Sequence, residues 1–239
     1  MPKALEILQK YWKHDAFREP QEEIIASVLD GKDTFALMPT GGGKSICFQV
    51  PAMMQEGICL VISPLIALMR DQVENLQNKG IKAIALTGGI YHDDIIDLLD
   101  NCQFGNYKFL YLSPERLQND WILERIKNLP INLIAIDEAH CISEWGHDFR
   151  PEYRRLREIF EKISNVPIIA LTATATPKVQ HDIQKNLNML DADVFQSSFN
   201  RDNLFYEIRP KKEVEKQIIR YIKGHAGKSG IIYCLSRKK

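Results

Sequence analysis

The chain has 239 residues, with 31 basic and 31 acidic side chains, so its formal charge is zero. Hydrophobic residues make up 45% and charged residues 26%, proportions that exclude a disordered chain and supply a core needing no disulfide staples. Neutrality excludes a uniformly basic coat, but it leaves room for a local basic groove. The length suits one large domain, or one plus part of another. Residues 200–239 hold eleven basic and four acidic side chains, a net of +7, which leaves −7 on the first 199. That asymmetry points to two regions with different tasks. The cysteines, Cys47, Cys59, Cys102, Cys141 and Cys234, are odd in number and form no CxxC pair, which fits a reducing cytoplasm. Charges interrupt the N-terminus where a signal peptide needs an apolar run. The longest uncharged apolar stretch, Gly57–Met69, contains Pro64 and is too short to span a bilayer.

Short apolar runs alternate with longer amphipathic ones, the pattern of βαβ units around a parallel sheet. In chain order, strands are predicted at Thr34–Met38, Cys59–Ser63, Ala83–Leu86, Phe109–Ser113, Leu133–Asp137 and Ile168–Thr172. Helices are predicted at Gln21–Leu29, Lys44–Met54, Leu65–Asn78, Asp93–Cys102, Trp121–Asn128, Glu152–Ile163 and Lys178–Leu187. Near Phe199–Asn203 the pattern restarts. Leu204–Ile208 and Ile231–Cys234 read as strands flanking a helix at Glu213–Ile222. Such a piece is too small to build its own core. The expected division is therefore a first domain over 1–199 and the opening of a second over 200–239.

The strongest local signal is Met38-Pro-Thr-Gly-Gly-Gly-Lys-Ser45, which lies between a predicted strand and a predicted helix. There Thr40, Gly41, Gly42 and Gly43 let backbone N–H groups turn onto phosphates, while the helix N-terminus adds positive potential. Lys44 would neutralise the β- and γ-phosphates, and the Ser45 hydroxyl would sit on Mg²⁺. Met38 stands where the strict pattern has glycine. The second signal is Leu133-Ile-Ala-Ile-Asp-Glu-Ala-His140, a buried strand delivering Asp137 and Glu138 to the end that lines the ligand crevice in such sheets. Asp137 would hold the metal, and Glu138 would orient and deprotonate a water. Together these motifs predict a nucleoside-triphosphate hydrolase.

Three weaker signals surround them. In Leu171-Thr-Ala-Thr-Ala-Thr176 the hydroxyls either bridge the phosphate site to a bound strand or simply cap the next helix, and capping is the simpler reading. Trp145, Phe149 and Tyr153 are interleaved with His147 and Arg150 around Gly146 and Pro151. These rings either stack on bases or lie buried, and the glycine and proline favour a loop. Phe17, Arg18 and Gln21 offer a ring, a guanidinium plane and an amide suited to adenine, although Phe17 alone could be core. His140, Cys141 and His147 give at most three metal ligands from one short stretch, which argues against structural zinc.

The order of these motifs, with Ser63-Pro-Leu-Ile-Ala-Leu-Met-Arg-Asp-Gln72 and Ser113-Pro-Glu-Arg116 between them, resembles the RecQ family of superfamily 2 DNA helicases from about Leu5 to Lys239. The Trp-Gly-His-Asp-Phe-Arg-Pro continuation after Asp137–Glu138 is its most specific part. The resemblance implies a RecA-like α/β fold, a three-layer parallel sheet with helices on both faces, followed by the start of a second RecA-like domain. It implies an ATP- and Mg²⁺-dependent 3′-to-5′ helicase acting on single-stranded and partly duplex DNA in repair and recombination, with no membrane partner and a nucleoid association in a bacterium. It makes Ser45 and Asp137 the metal residues and Phe17, Arg18 and Gln21 the adenine motif. Ser63, Arg70, Ser113, Arg116, Trp145, His147, Phe149 and Arg150 become the nucleic-acid contacts. His14 departs from the family, which often has an aromatic there. The family's arginine finger, zinc-binding region and winged helix would lie beyond Lys239, so the expectation for this chain is ATP binding with poor hydrolysis. The alternatives are an RNA helicase or other superfamily 2 translocase, and a non-hydrolysing ATP- or DNA-binding module.

Overall fold

A computed structural model describes residues 2–146, 148–163, 165–198 and 204–234. The chain divides into two compact units, Met1–Phe199 and Asn200–Lys239.

The first unit is built on seven parallel strands: β1 (Thr34–Leu37), β2 (Ile58–Ile62), β3 (Ala83–Leu86), β4 (Phe109–Leu112), β5 (Ile131–Ile136), β6 (Ile168–Thr172) and β7 (Asp193–Gln196). Their order across the sheet is β3-β4-β2-β5-β6-β1-β7. The central strands are apolar throughout because a parallel sheet is covered on both faces. Ile58-Cys-Leu-Val-Ile62, for example, is buried at all five positions.

Side-chain alternation sorts each strand between two cores. Ala36, Val61, Tyr111 and Ala135 meet α2 (Gln21–Leu29), α3 (Lys44–Met54) and α4 (Ile66–Gln77). Leu37, Leu60, Leu112 and Ile134 meet α5 (His92–Phe104), α7 (Asp120–Ile126), α8 (Leu156–Ile163) and α9 (Pro177–Asn186). This is the expected three-layer arrangement. A short helix, α6 (Pro114–Leu117), follows β4. The N-terminal α1 (Pro2–Ile7) and a π-helical turn at Leu8–Trp12 close a third small core, in which Ala4 and Leu8 pack with Ile25, Ile46 and Val50.

Most predicted elements end within about two residues of the observed ones, the usual uncertainty of element ends. Several features differ, among them the short α6, which carries no prediction. The Glu152–Ile163 helix begins as a 3₁₀ turn, Pro151–Arg155, before α8, since Pro151 starts it from an extended Arg150. The α1 region and β7 carry no prediction. In Asp193-Val-Phe-Gln196 only one strand neighbour exists and no residue is fully buried, so the apolar signal is weak.

In the second unit the described part contains α10 (Val214–Gly224). Leu204–Ile208 and Ile231–Cys234 do not form the predicted strands, and Phe205, Ile208, Ile231 and Tyr233 are exposed. A strand needs a ladder partner, and neither segment has one among the described residues. No helix among the described residues is long and apolar enough to cross a membrane.

The sheet interior carries the stability of the first unit. Leu60 is fully buried in β2. Leu60→Ala is expected to cost about 2–5 kcal/mol through lost burial and a residual cavity. Urea unfolding measures it, and a loss below about 1 kcal/mol would contradict this placement.

Candidate nucleotide and nucleic-acid site

Because all strands are parallel, their C-terminal ends share one edge. The ladder continues one residue past β1, β2 and β5. Met38 N–H donates to the Thr172 carbonyl (3.0 Å), Ser63 to Leu112 (3.1 Å) and Asp137 to Ile62 (2.8 Å). The first residue of each site loop is therefore fixed by backbone. Helix α3 packs on β6, β5 and β2, and Lys44 in its first turn lies close enough to Asp137 at the end of β5 for their charges to interact.

That N-terminus carries Gly43 in the left-handed region, at φ +79°. A Cβ there would lie 2.3 Å from Gln21 Nε2, so only glycine fits. Gln21 is buried, and its amide donates to the Gly42 and Gly43 carbonyls at 3.3 and 3.2 Å. Its Oε1 accepts from Arg18 N–H at 2.9 Å, while Arg18 Nη1 donates to the Gly41 carbonyl at 3.2 Å. Gln21 and Arg18, the residues expected at adenine, thus also hold the glycine loop through its carbonyls. Phe17 is half-buried and packs on the small N-terminal core, which is the alternative left open for it. Thr40 is exposed, and Lys44 and Ser45 are half-buried.

At the end of β5, Glu138 also takes a left-handed conformation, φ +51°. For a non-glycine residue this costs roughly 1–3 kcal/mol. It ends the strand's alternation, which would otherwise send Asp137 and Glu138 to opposite faces. The turn is held by Glu138 N–H on Asp137 Oδ1 (3.0 Å) and by Cys141 N–H on the Glu138 carbonyl (3.0 Å). Burial and the neighbouring Glu138 charge raise the Asp137 carboxyl to about 6, against the partial relief of Glu138 N–H and Lys44. An oxygen-only donor set of Ser45 hydroxyl and paired carboxylates, with its anionic charge incompletely offset, fits Mg²⁺.

His140 is a residue the sequence reading left without a role. It is buried, and its Nδ1 lies 2.9 Å from Thr172 Oγ1 and 3.2 Å from Glu138 Oε2. It joins the carboxylate turn to the end of β6, so one threonine of the Leu171–Thr176 run does reach the site. Thr176 at the other end caps α9 through Val179 N–H, as the simpler reading held. His140, Cys141 and Asp148 bring potential ligand atoms within 4.8 Å of one another. Burial, first, and the nearby Asp148 push the Cys141 thiol up to about 12.

The aromatic segment leaves this turn as a loop. Gly146 permits it, since a Cβ would lie 2.6 Å from the His140 carbonyl. Trp145 is 63% exposed, and the Lys178 ammonium at the start of α9 sits 3.1 Å from its ring centre. Phe149 is half-buried beneath the Arg154 guanidinium at 5.3 Å. Tyr153 is buried in the core and cannot stack on a base. Arg150 is half-buried, with Nη1 donating to the Pro64 carbonyl at 3.1 Å and Nη2 lying 3.6 Å from Asp148, so it braces two loops. Ser63, expected at the nucleic acid, is 2% exposed, and its backbone N–H continues the β2 ladder. Arg116 donates to the Thr87 carbonyl at 2.6 Å, Ser113 is half-buried, and Arg70 is exposed on α4. His147 lies outside the described residues.

The raised Asp137 carboxyl has a stability consequence. Its protonated form favours the fold fully below the ordinary value of 3.8, and that contribution is lost as pH rises through about 6. In EDTA at about pH 8, Asp137→Asn is therefore expected to be more stable than the unaltered chain by on the order of 2 kcal/mol, converging near pH 4. Urea melts across that range test it, and no gain at the alkaline end would refute it.

A family model for DEAD/DEAH box helicases matches residues 18–183. The chain is 43% identical over 236 residues to the ATP-dependent DNA helicase RecQ of Pasteurella multocida, covering 99% of this chain and 37% of that protein. It is 42% identical over 241 residues to the probable ATP-dependent DNA helicase RecS of Bacillus subtilis, covering 100% of this chain and 48% of that one. The chain thus spans less than half the length of these relatives. Among solved structures, the DUF1998 helicase MrfA superposes with a TM-score of 0.70 at 18% identity, over 98% of this chain and 38% of that one, a likeness of fold. With its parallel sheet, glycine loop and Asp137–Glu138 turn, the chain belongs to the DEAD/DEAH box helicase family.

Proposed function

We propose that this chain is the ATP-binding motor lobe of a RecQ-like DNA helicase, which couples ATP hydrolysis to 3′-to-5′ movement along one strand and to duplex unwinding in repair and recombination. Residues 200–239 begin its second RecA-like lobe. The observation that carries this reading is continuity. Glu138 and the exposed Trp145 belong to one turn-and-loop segment, pinned at His140 to β6 and at Arg150 to the β2–α4 turn. A strand that moves the loop therefore acts on the residues that surround the γ-phosphate.

Lys44, with the N–H groups of the glycine loop, holds the phosphates, and Thr40 lies at its rim. Phe17, Arg18 and Gln21 stand at the base end of the same loop. Ser45 and Asp137 hold Mg²⁺, which supplies charge neutralisation on the phosphate oxygens. Glu138 orients a water and takes its proton. Arg70, Ser113 and Arg116 meet the strand backbone near helix N-termini, and Trp145 and Phe149 offer ring faces to bases. Lys178 shares the Trp145 face, so an entering base displaces its ammonium towards the phosphate backbone. The setting is the cytoplasm, at the nucleoid in a bacterium.

Base stacking is worth about 1–3 kcal/mol per base, so Trp145→Ala should weaken single-stranded DNA binding by roughly five- to a hundredfold. Binding of a fluorescent ATP analogue should stay unchanged. Lys44→Ala should do the converse, lowering nucleotide affinity at least about tenfold and sparing DNA. Fluorescence titrations with both ligands read the two variants. Equal loss of both ligands in Trp145→Ala would refute the assigned division, and tighter binding of RNA than of DNA would favour an RNA translocase.

A further inference from the structure

Three polar side chains, on α4, α3 and β4, have no part in the roles above. Gln72 lies on α4, and its Nε2 donates to Ser45 Oγ at 3.1 Å. Gln49 lies on α3, 3% exposed, and its Nε2 donates both to Gln72 Oε1 at 3.1 Å and to the Tyr111 hydroxyl at 3.2 Å. Tyr111 is buried in β4.

The direction of this chain matters. A serine hydroxyl has one proton and two lone pairs, and its proton rotates freely unless something fixes it. Gln72 uses one lone pair of Ser45. That leaves the other lone pair for a cation and the proton for a phosphate oxygen. Gln72 Oε1 accepts from Gln49 Nε2, and that bond goes with the amide orientation in which Nε2 faces Ser45. Gln49 is in turn held by a tyrosine embedded in the sheet. Gln49 is buried and Gln72 half-buried, so losing a bond in this chain costs free energy.

We infer that Gln72, fixed by Gln49, is a positioning residue that presents the Ser45 hydroxyl to a Mg²⁺-nucleotide and ties it to helix α4. This rests on the proposed nucleotide site. The same helix exposes Arg70 two residues earlier, so a displacement of α4 by a bound strand also moves the donor on Ser45.

The test is a Mg²⁺ titration of fluorescent ATP-analogue binding to the 239-residue chain. Gln72→Met keeps the length and helix preference of the side chain but removes the donor. It should raise the Mg²⁺ concentration for half-maximal binding roughly three- to tenfold, the change expected for one hydrogen bond, while affinity in EDTA stays the same. Gln49→Met, which leaves Gln72 in place without its anchor, should shift the half-point in the same direction. In a Ser45→Ala background Gln72→Met should have no further effect, because the pair acts as a unit. An unshifted half-point in both single variants overturns the inference, as does an undiminished shift in the Ser45→Ala background, which would mark Gln72 as merely structural. Failure of the unaltered chain to bind nucleotide with any Mg²⁺ dependence overturns the proposed site itself and this inference with it.

Discussion

The parallel direction of all seven strands is the constraint on which the rest depends. An antiparallel sheet would send alternate strand ends to opposite edges. Here every strand delivers its following loop to the same side, and the backbone ladder reaches one residue into the loops after β1, β2 and β5. The glycine loop, the Ser63-Pro64 turn, the carboxylate turn and the threonine run meet for that reason alone. The cost is that the central strands must be apolar on both faces, which is why the chain commits so much of its hydrophobic content to runs of four to six residues.

The site built on that edge is not comfortable. Glu138 occupies a conformation that favours glycine, and it crowds a second carboxylate whose charge is already disfavoured by burial. Gly43 and Gly146 sit where any side chain would collide with a neighbour. Strain and like charge are concentrated where a metal and phosphates would relieve them, and the broad two-sided core supplies the stability to tolerate it.

Much of this was legible in the sequence because it is local. A run of apolar residues ending in Asp-Glu, or a Gly-Gly-Gly-Lys-Ser between strand and helix, carries its own physical reason. What was not legible is the pairing of side chains far apart in the chain. Gln21 reads as an amide free to meet a base, yet the fold sets it against carbonyls 21 and 22 residues away. Ser63 and Tyr153 have the residue types of contact positions, but their exposure is decided by the ladder and by the packing of α8. The same limit explains the second unit. Leu204–Ile208 and Ile231–Cys234 have strand composition, and composition cannot supply the neighbouring strand that a ladder requires.

The clasp that Arg18 and Gln21 place on the glycine loop has a consequence for its polarity. A trans peptide points its carbonyl and the next N–H in opposite directions. With the Gly42 and Gly43 carbonyls drawn towards the Gln21 amide, the N–H groups of Gly43 and Lys44 face the other way. The loop is thereby sorted into an acceptor side and a donor side before any anion arrives. A phosphate approaching the open side meets the N–H groups of Gly43 and Lys44, and the carbonyls of Gly41, Gly42 and Gly43 are already occupied behind.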